Sequence, residues 1–198
     1  MDAHEADRLA TRARTGDGGA LAALYGEFAP ALMAYVERLC GDRASAEDVI
    51  HETFLQLLES RGRFEAKGRF RQWLFTVAAN AARGQKRRGR VLVRWDGDDV
   101  VASAVDATPS RTTAPDDNVA NREYLVLIER TLAQLPPGYA SAFHLRVREG
   151  FNYREMSEIS GEPEGTLRSR VHLTLSRLRE DLAAAGKQPK SKTEGRLS

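Results

Sequence analysis

The chain has 198 residues, enough for one domain or two small ones, and 41% of them are apolar, as in a globular protein. Its one cysteine, Cys40, excludes an intramolecular disulfide and a cysteine-based zinc site, and the four histidines lack metal-ligand spacing. The formal net charge of +2 does not by itself indicate a polyanionic partner. No signal peptide and no apolar run of membrane-spanning length are apparent, so we expect a cytoplasmic protein without a membrane span, metal or cofactor.

The first part of the chain is predicted to be helical. Residues 1–19 are polar and charged, with room for one short helix. Residues 20–40 carry apolar side chains at helical spacing, and Gly41 ends that helix because glycine readily adopts a positive φ. Ser45 is predicted as the N-cap of the next helix, which covers residues 46–59.

The helix over residues 46–59 has two unlike faces. One face is apolar and is predicted to pack into a core: Ala46, Ile50, Phe54 and Leu57. The other face is acidic but includes a leucine: Asp48, Glu52, Glu59 and Leu55. This surface suits a protein partner better than nucleic acid, but for this helix taken alone a merely solvated face is the simpler interpretation.

A basic loop precedes the next helix. Residues 60–68 contain glycine, basic side chains and one aromatic, Phe64, and the helix that follows ends in Arg83 and runs into further basic residues. This combination favours a surface that follows nucleic-acid phosphates. Trp73 and Phe64 could stack on unpaired bases, although a tryptophan beside a helical apolar stripe more often belongs to the core.

The charges are distributed in blocks. Residues 61–94 contain eleven Lys or Arg against one acid, whereas residues 95–118 contain six Asp against one Arg. Residues 91–118 are acidic and rich in small residues, which predicts an inter-domain linker. The predicted fold is therefore all-α, with two small helical domains at residues 20–90 and 119–183 joined by an acidic flexible linker.

The second domain is predicted to contain a helix-turn-helix. A helix over residues 119–134, with a stripe that begins at Leu125, is followed by a helix over residues 140–148. Residues 153–182 then form two helices around a break at Gly161. The stripe of the last helix is predicted to be buried: Leu167, Val171, Leu175, Leu178 and Leu182. The tail, residues 184–198, lacks apolar residues to bury and is predicted to be disordered.

The outward face of the last helix carries hydrogen-bond donors suited to phosphates and base edges. The first of them, Thr166, Arg168 and Ser169, lie near the helix start, where a recognition helix usually meets the bases. A solvated polar face on an ordinary helical hairpin is the alternative for this stretch alone.

Four stretches, in order, resemble the extracytoplasmic-function (ECF) sigma factors, the compact two-domain type of bacterial sigma subunit. They are residues 46–58, 69–88, 135–161 and 162–180. The pattern W-L-(F/Y)-x-x-A-x-N at residues 73–80 and the pattern G-T-(L/V)-R-S-R at residues 165–170 are specific in combination. The resemblance implies a non-enzymatic initiation factor that binds core RNA polymerase, at the β′ clamp coiled coil and the β flap, and promoter DNA, with an anti-sigma factor as a further partner.

The resemblance also implies roles for individual residues. Positions that bind the β′ coiled coil match Asp48, His51, Glu52 and Leu55. Positions in the loop that captures a flipped-out −10 base match Arg63, Phe64 and Lys67. Positions that hold promoter DNA next to the −10 element match Asn80, Arg83, Lys86, Arg87 and Arg88. Positions in the −35 helix-turn-helix, residues 153–179, match Thr166, Arg168, Ser169, Arg170, His172 and Arg177.

The chain departs from the family at two positions, and rival functions remain open. His51 stands where glutamine is usual, and Leu173 stands where arginine is common, which removes one expected DNA contact. One rival is a helix-turn-helix regulator that acts without polymerase, and another is a sigma-like decoy for an anti-sigma factor. A carboxylate-metal nuclease built on Asp48 and Glu52 would need further converging acids, and the sequence offers no obvious ones.

Overall fold

The computed structural model of the protein describes residues 1–60, 68–88 and 119–186. In these ranges all regular structure is helical, which confirms the all-α class. The helices are α1 (Ala3–Arg14), α2 (Gly18–Cys40), α3 (Arg43–Glu59), α4 (Phe70–Arg88), α5 (Val119–Gln134), α6 (Pro137–Phe143), α7 (Tyr153–Ser160) and α8 (Glu164–Ala184). A π-helical turn, His144–Arg148, continues α6.

Several predictions concern residues outside the described part of the chain. They are the loop residues Arg63, Phe64 and Lys67, the linker at residues 91–118 and the tail from residue 187. The side chains of Lys86, Arg87 and Arg88 also lie outside it, although their backbone belongs to α4.

Helix α2 is the centre of the N-terminal unit, which comprises α1 to α4. Among the described residues it is the one helix that is long and apolar enough to cross a membrane, with a mean hydropathy of 1.3, so the expectation that no such run exists was wrong. Its apolar side chains instead pack against α1, α3 and α4, and Leu24, Leu32 and Val36 are fully buried. Length and hydropathy do not distinguish a membrane span from a central core helix.

Helix α3 begins earlier than predicted. Gly41 ends α2 with a φ of 90°, and the chain then enters Asp42 in an extended conformation. The Asp42 carboxylate accepts a hydrogen bond from the Ser45 backbone N–H at 2.8 Å, so Asp42 is the N-cap and Ser45 lies in the first turn. The predicted apolar face is confirmed, because Ala46, Ile50, Phe54 and Leu57 are buried.

The C-terminal unit comprises α5 to α8. The helix predicted over residues 140–148 begins at Pro137 and changes to π-helical geometry at His144. Helix α5 packs on α6 and α8 through Leu132, but Leu125, the first residue of its apolar stripe, is 54% exposed. Periodicity marks the apolar side of α5, but not how much of its length the neighbouring helices cover.

The helix-turn-helix forms as predicted from residue 153 onward. Asn152 and Glu155 make a reciprocal capping box at the start of α7, and Gly161 ends α7 with a φ of 73°. The buried stripe of α8 is confirmed for Leu167, Val171, Leu178 and Leu182, while Leu175 is half-buried.

The two units share a hydrophobic core. The ring of Phe75 in α4 meets the ring of Phe151 edge-on, with centroids 5.3 Å apart. Met156 and Ile159 of α7 are fully buried in the same cluster as the side chains of α2 and α4. Helix α7 therefore packs directly on α4, and the helix-turn-helix is held against the N-terminal unit.

Candidate functional site

The exposed face of α3 gathers the four residues predicted to bind polymerase. Asp48, His51, Glu52 and Leu55 have the spacing i, i+3, i+4 and i+7, which places them on one side of a helix. Asp48, His51 and Leu55 are exposed, and Glu52 is half-buried and accepts a hydrogen bond from the Gln56 amide at 3.3 Å. The structure thus presents a row of acids with an exposed leucine among them.

Two exposed apolar residues extend this face. Leu58 is 38% exposed and lies seven residues after His51, so it falls on the same side of α3. Tyr25 of α2 is half exposed and packs its ring on Phe54, with centroids 5.0 Å apart. Neither residue was predicted from the sequence, although its seven-residue spacing from His51 indicates that Leu58 lies on this face.

The side chain of Arg83 in α4 is hydrogen-bonded to the end of α7, within the helix-turn-helix. Its guanidinium donates to the carbonyl oxygen of Ser160, to that of Ile159 at 3.3 Å, and to Asn80 Oδ1 at 2.6 Å. A cation at this place satisfies the unpaired carbonyls at the end of α7. The turn needs glycine for its φ of 73°, and a Cβ at Gly161 would lie 3.0 Å from the Arg83 guanidinium, which would have to shift slightly to accommodate it.

The predicted −35 residues are not equally available on α8. Thr166, Arg168, Ser169 and His172 are exposed, and Arg177 is exposed while lying 3.3 Å from Asp181. Arg170 instead is half-buried, because it pairs with Glu162 at 2.5 Å and its guanidinium lies 5.8 Å from the centre of the Tyr139 ring. Arg170 therefore has structural contacts of its own within the C-terminal unit.

A basic cluster surrounds Tyr153 at the start of α7. The Arg168 guanidinium lies 5.1 Å and the Arg146 guanidinium 5.3 Å from the centre of its ring. Arg146 is exposed and also donates to the carbonyl oxygen of Phe151 at 3.0 Å. It belongs to the π-helical turn, so no spacing within α8 could have predicted that it joins Arg168. Leu173, which is 52% exposed, lies on the outward side of α8.

An ionic contact joins the two units beside Phe151. Glu149 forms an ion pair with Arg71 of α4, and the Arg71 guanidinium lies 4.5 Å from the centre of the Phe151 ring. His144 Nε2 lies 3.2 Å from Glu149 Oε1, but it has no partner with hydrogen-bond geometry. Burial alone would raise the pKa of Glu149, but the adjacent His144 and Arg71 outweigh burial and hold that pKa below its ordinary value. Glu149 is therefore a charged group at the junction.

No group of three or more metal-ligating side chains is found in residues 1–60, 68–88 and 119–186. Asp48 and Glu52 thus lack the converging acids that a metal-dependent nuclease would need within the part of the chain that the structure describes.

Comparison with known proteins assigns the chain to a family. The family model for Sigma-70 region 2 matches residues 24–91, and that for Sigma-70 region 4 matches residues 125–178. The chain is 35% identical to RNA polymerase sigma factor CarQ of Myxococcus xanthus over 170 residues, which cover 85% of this chain and 92% of CarQ. It is 32% identical to ECF RNA polymerase sigma factor SigL of Mycobacterium tuberculosis, covering 88% of this chain and 95% of SigL.

Two solved structures have a similar fold. Sigma factor RpoE from Bartonella quintana, solved with the anti-sigma factor NepR, superposes with a TM-score of 0.56 at 29% identity over 78% of this chain and 91% of RpoE. CnrH, solved with the cytosolic domain of CnrY, superposes with a TM-score of 0.58 at 20% identity over 91% of this chain and 98% of CnrH. With the identities to CarQ and SigL, these matches show that the chain belongs to the ECF sigma factors and is a transcription initiation factor.

Proposed function

We propose that this sigma factor binds core RNA polymerase through the exposed face of α3 and directs it to promoters. In this proposal α7 and α8 read the −35 element, while the loop of residues 60–68 and the end of α4 act at the −10 element. The protein acts in the cytoplasm and performs no reaction of its own, so catalysis belongs to the polymerase. The observation that carries the proposal is the α3 face, where acids and an exposed leucine stand together on the outside of the core.

The α3 face has the composition expected of a protein-binding surface. Leu55 and Leu58 offer apolar area that a partner can remove from water, and Asp48 and Glu52 offer charges for basic residues on that partner. His51 supplies a ring N–H donor where the family usually has a glutamine amide. A partner helix or coiled coil with basic and apolar residues would match this pattern.

The DNA-facing side of the C-terminal unit has two parts. Thr166, Ser169 and His172 are short donors on the exposed face of α8 and are suited to base edges. Arg168 and Arg146 lie together over Tyr153 and are suited to phosphates or to a guanine. Leu173, one turn after Ser169 on the exposed face of α8, is a non-polar position where a thymine methyl group would fit.

The packing of the two units implies a conformational step. While α7 packs on α4, the guanidinium of Arg83 donates to the carbonyls of Ile159 and Ser160, so the end of α7 and promoter DNA compete for this side chain. We therefore propose that the C-terminal unit leaves α4 before the −10 element is engaged. Core polymerase favours the open form only if it binds that form more tightly than the closed form.

We also propose an anti-sigma factor as a regulator of this chain. RpoE of Bartonella quintana, 29% identical, was solved with such a protein. The exposed Leu173 is an apolar contact point on the same surface that would meet DNA, so a protein bound there would block promoter recognition.

The proposal is tested by DNA retention with and without core polymerase. Pooled genomic fragments should be retained in a heparin-resistant form only when the sigma factor and core polymerase are both present. Dimeric binding to palindromic fragments without polymerase would instead establish a helix-turn-helix regulator. Binding to core without any retained DNA would indicate a decoy.

Arg168→Ala in the same assay should weaken promoter retention by about 1–3 kcal/mol, the usual value of a specific arginine contact. Arg179→Ala is the matched control, because Arg179 is also exposed on α8 but lies further from the start of that helix. If the two variants retained DNA equally well, the placement of the recognition surface at the start of α8 would be wrong. Arg170→Ala should mainly reduce thermal stability, since Arg170 pairs with Glu162.

A further inference from the structure

The junction between the two units sets arginines of the N-terminal unit against acceptors of the C-terminal unit. Arg38, in the last turn of α2, lies 2.6 Å from Glu129 of α5, and Arg71 of α4 forms its ion pair with Glu149. Arg83 of α4 donates to the carbonyl oxygens at the end of α7. Each of these three guanidinium groups therefore has an acceptor in the other unit.

Glu129 is the shared counterion of two arginines, one in each unit. Its Oε2 accepts a hydrogen bond from Arg38 at 2.6 Å, and its Oε1 accepts one from Arg148 of the π-helical turn, also at 2.6 Å. Because one carboxylate holds both guanidinium groups, neutralising Glu129 would leave two positive charges close together across the junction. The carboxylate thus turns a repulsion between the units into an attraction.

The arginines of this junction are suited to a second acceptor. A guanidinium group binds phosphate with the same two-pronged geometry with which it binds carboxylate. The side chains of Arg38 and Arg71 are 21% and 40% exposed while they are paired, so the packed form covers most of each. Arg71 and Arg83 belong to α4, the helix whose end is assigned to the −10 element in the proposed function.

We infer that Arg38 and Arg71 are contacts for the DNA backbone, and that Glu129 and Glu149 mask them in the packed form. The inference rests on the proposed function, in which the C-terminal unit leaves α4 before the −10 element is engaged. Separation of the units frees both guanidinium groups, and phosphates then replace the two carboxylates as their acceptors. These contacts strengthen the grip on DNA without reading its sequence, because the backbone phosphates are alike at every position.

A purely structural role for the two ion pairs makes a different prediction. If the acids only stabilise the packed form, their removal should not raise the affinity for DNA through Arg38 and Arg71. Glu47 provides the matched control, because its carboxylate is also paired with an arginine, Arg43, at 3.0 Å, but both residues lie in α3. Neutralising Glu47 removes the same charge and frees an arginine, but outside the junction.

The experiment measures the affinity of the full chain, without polymerase, for a short DNA duplex that lacks promoter elements. Fluorescence anisotropy at several salt concentrations gives both the affinity and its salt dependence. The Glu129→Gln, Glu149→Gln double variant should bind roughly tenfold more tightly and with a steeper salt dependence. Adding Arg38→Gln and Arg71→Gln should lower the slope of log K against log salt again by about two, one for each lost phosphate contact. Glu47→Gln should stay close to the wild-type protein in both quantities.

Small-angle scattering on the same proteins reports whether the units have separated. A radius of gyration that rises in the double variant without a gain in DNA affinity would show that the freed arginines do not bind DNA. A gain that survives Arg38→Gln and Arg71→Gln would place the contacts elsewhere, and an equal gain in Glu47→Gln would reduce the effect to net charge. If neither the radius nor the affinity changes, the two acids mask nothing. Each of these four results overturns the inference.

The failure of this inference is distinguishable from the failure of the proposed function. The assay contains no polymerase, so none of these four results removes the assignment of the protein's role in initiation. That role fails separately if core polymerase and the wild-type protein together give no discrete start sites.

Discussion

Replacing Asp48 and Glu52 by lysine should abolish binding to core RNA polymerase and with it all promoter-directed transcription. Asp48 is exposed and Glu52 is half-buried on the outer face of α3, so the core beneath them is unchanged. Each reversal turns an attractive charge at the proposed interface into a repulsive one. Losing a paired interfacial charge costs about 2–5 kcal/mol, and two such losses exceed a thousandfold in affinity at the middle of that range. Titration of labelled core polymerase with each protein measures the loss directly.

The matched control for this charge reversal is Glu180→Lys. Glu180 is exposed on α8, which is a different helix from α3. The Glu180→Lys variant therefore makes one acid-to-lysine change outside the α3 face. We expect it to bind core polymerase as the wild-type protein does. Helical content and melting temperature should be alike in all variants, because surface substitutions usually change stability little. Assembly of the Asp48→Lys, Glu52→Lys double variant with undiminished affinity would remove α3 from the interface.

Replacing Glu149 by lysine should separate the two units. The ion pair between Glu149 and Arg71 lies beside the contact of Phe75 with Phe151, and a lysine there would place two cations together. Breaking a buried pair costs about 3–5 kcal/mol, but the Arg71 side chain is 40% exposed, so we expect about 2 kcal/mol after allowing for solvent screening. Small-angle scattering should show a larger radius of gyration, and DNA binding without core polymerase should become stronger as Arg83 is released from the end of α7.

Acid should weaken the same junction in the wild-type protein. Since the pKa of Glu149 is held below its ordinary value of 4.5, its ionised form stabilises the packed arrangement fully at neutral pH. That contribution is lost as the pH falls below this value and the carboxylate becomes protonated. The Glu149→Gln protein should lack this part of the acid dependence, which isolates Glu149 from the other acids.

An unchanged radius of gyration in Glu149→Lys would show that the ion pair does not hold the units together.

The spacing of apolar and capping residues predicted those features of the fold that depend on residues close together in the sequence. The stripe from Leu167 to Leu182 became the buried side of α8 because periodicity reports which side of a helix faces the core. The N-cap of α3 was placed three residues too late, since Ser45 and Asp42 are both good caps and only the backbone after Gly41 decides between them.

Long-range contacts could not be predicted in this way. Arg83 meets Ser160 across 77 positions, and Asp7 meets Gly68 across 61. Nothing in the spacing of a basic run or a polar N-terminal helix states which distant carbonyl or amide it will reach. For the same reason the sequence assigned Arg83 and Arg170 to DNA without showing that each has a partner within the protein.

The most direct test of the central claim is run-off transcription with purified protein, core RNA polymerase and a pool of genomic fragments, followed by mapping of the RNA 5′ ends. We expect discrete start sites that share one element near −35 and one near −10, and that vanish when the sigma factor is omitted. Start sites that are absent, or that are the same with core polymerase alone, would contradict the conclusion that this protein directs promoter choice.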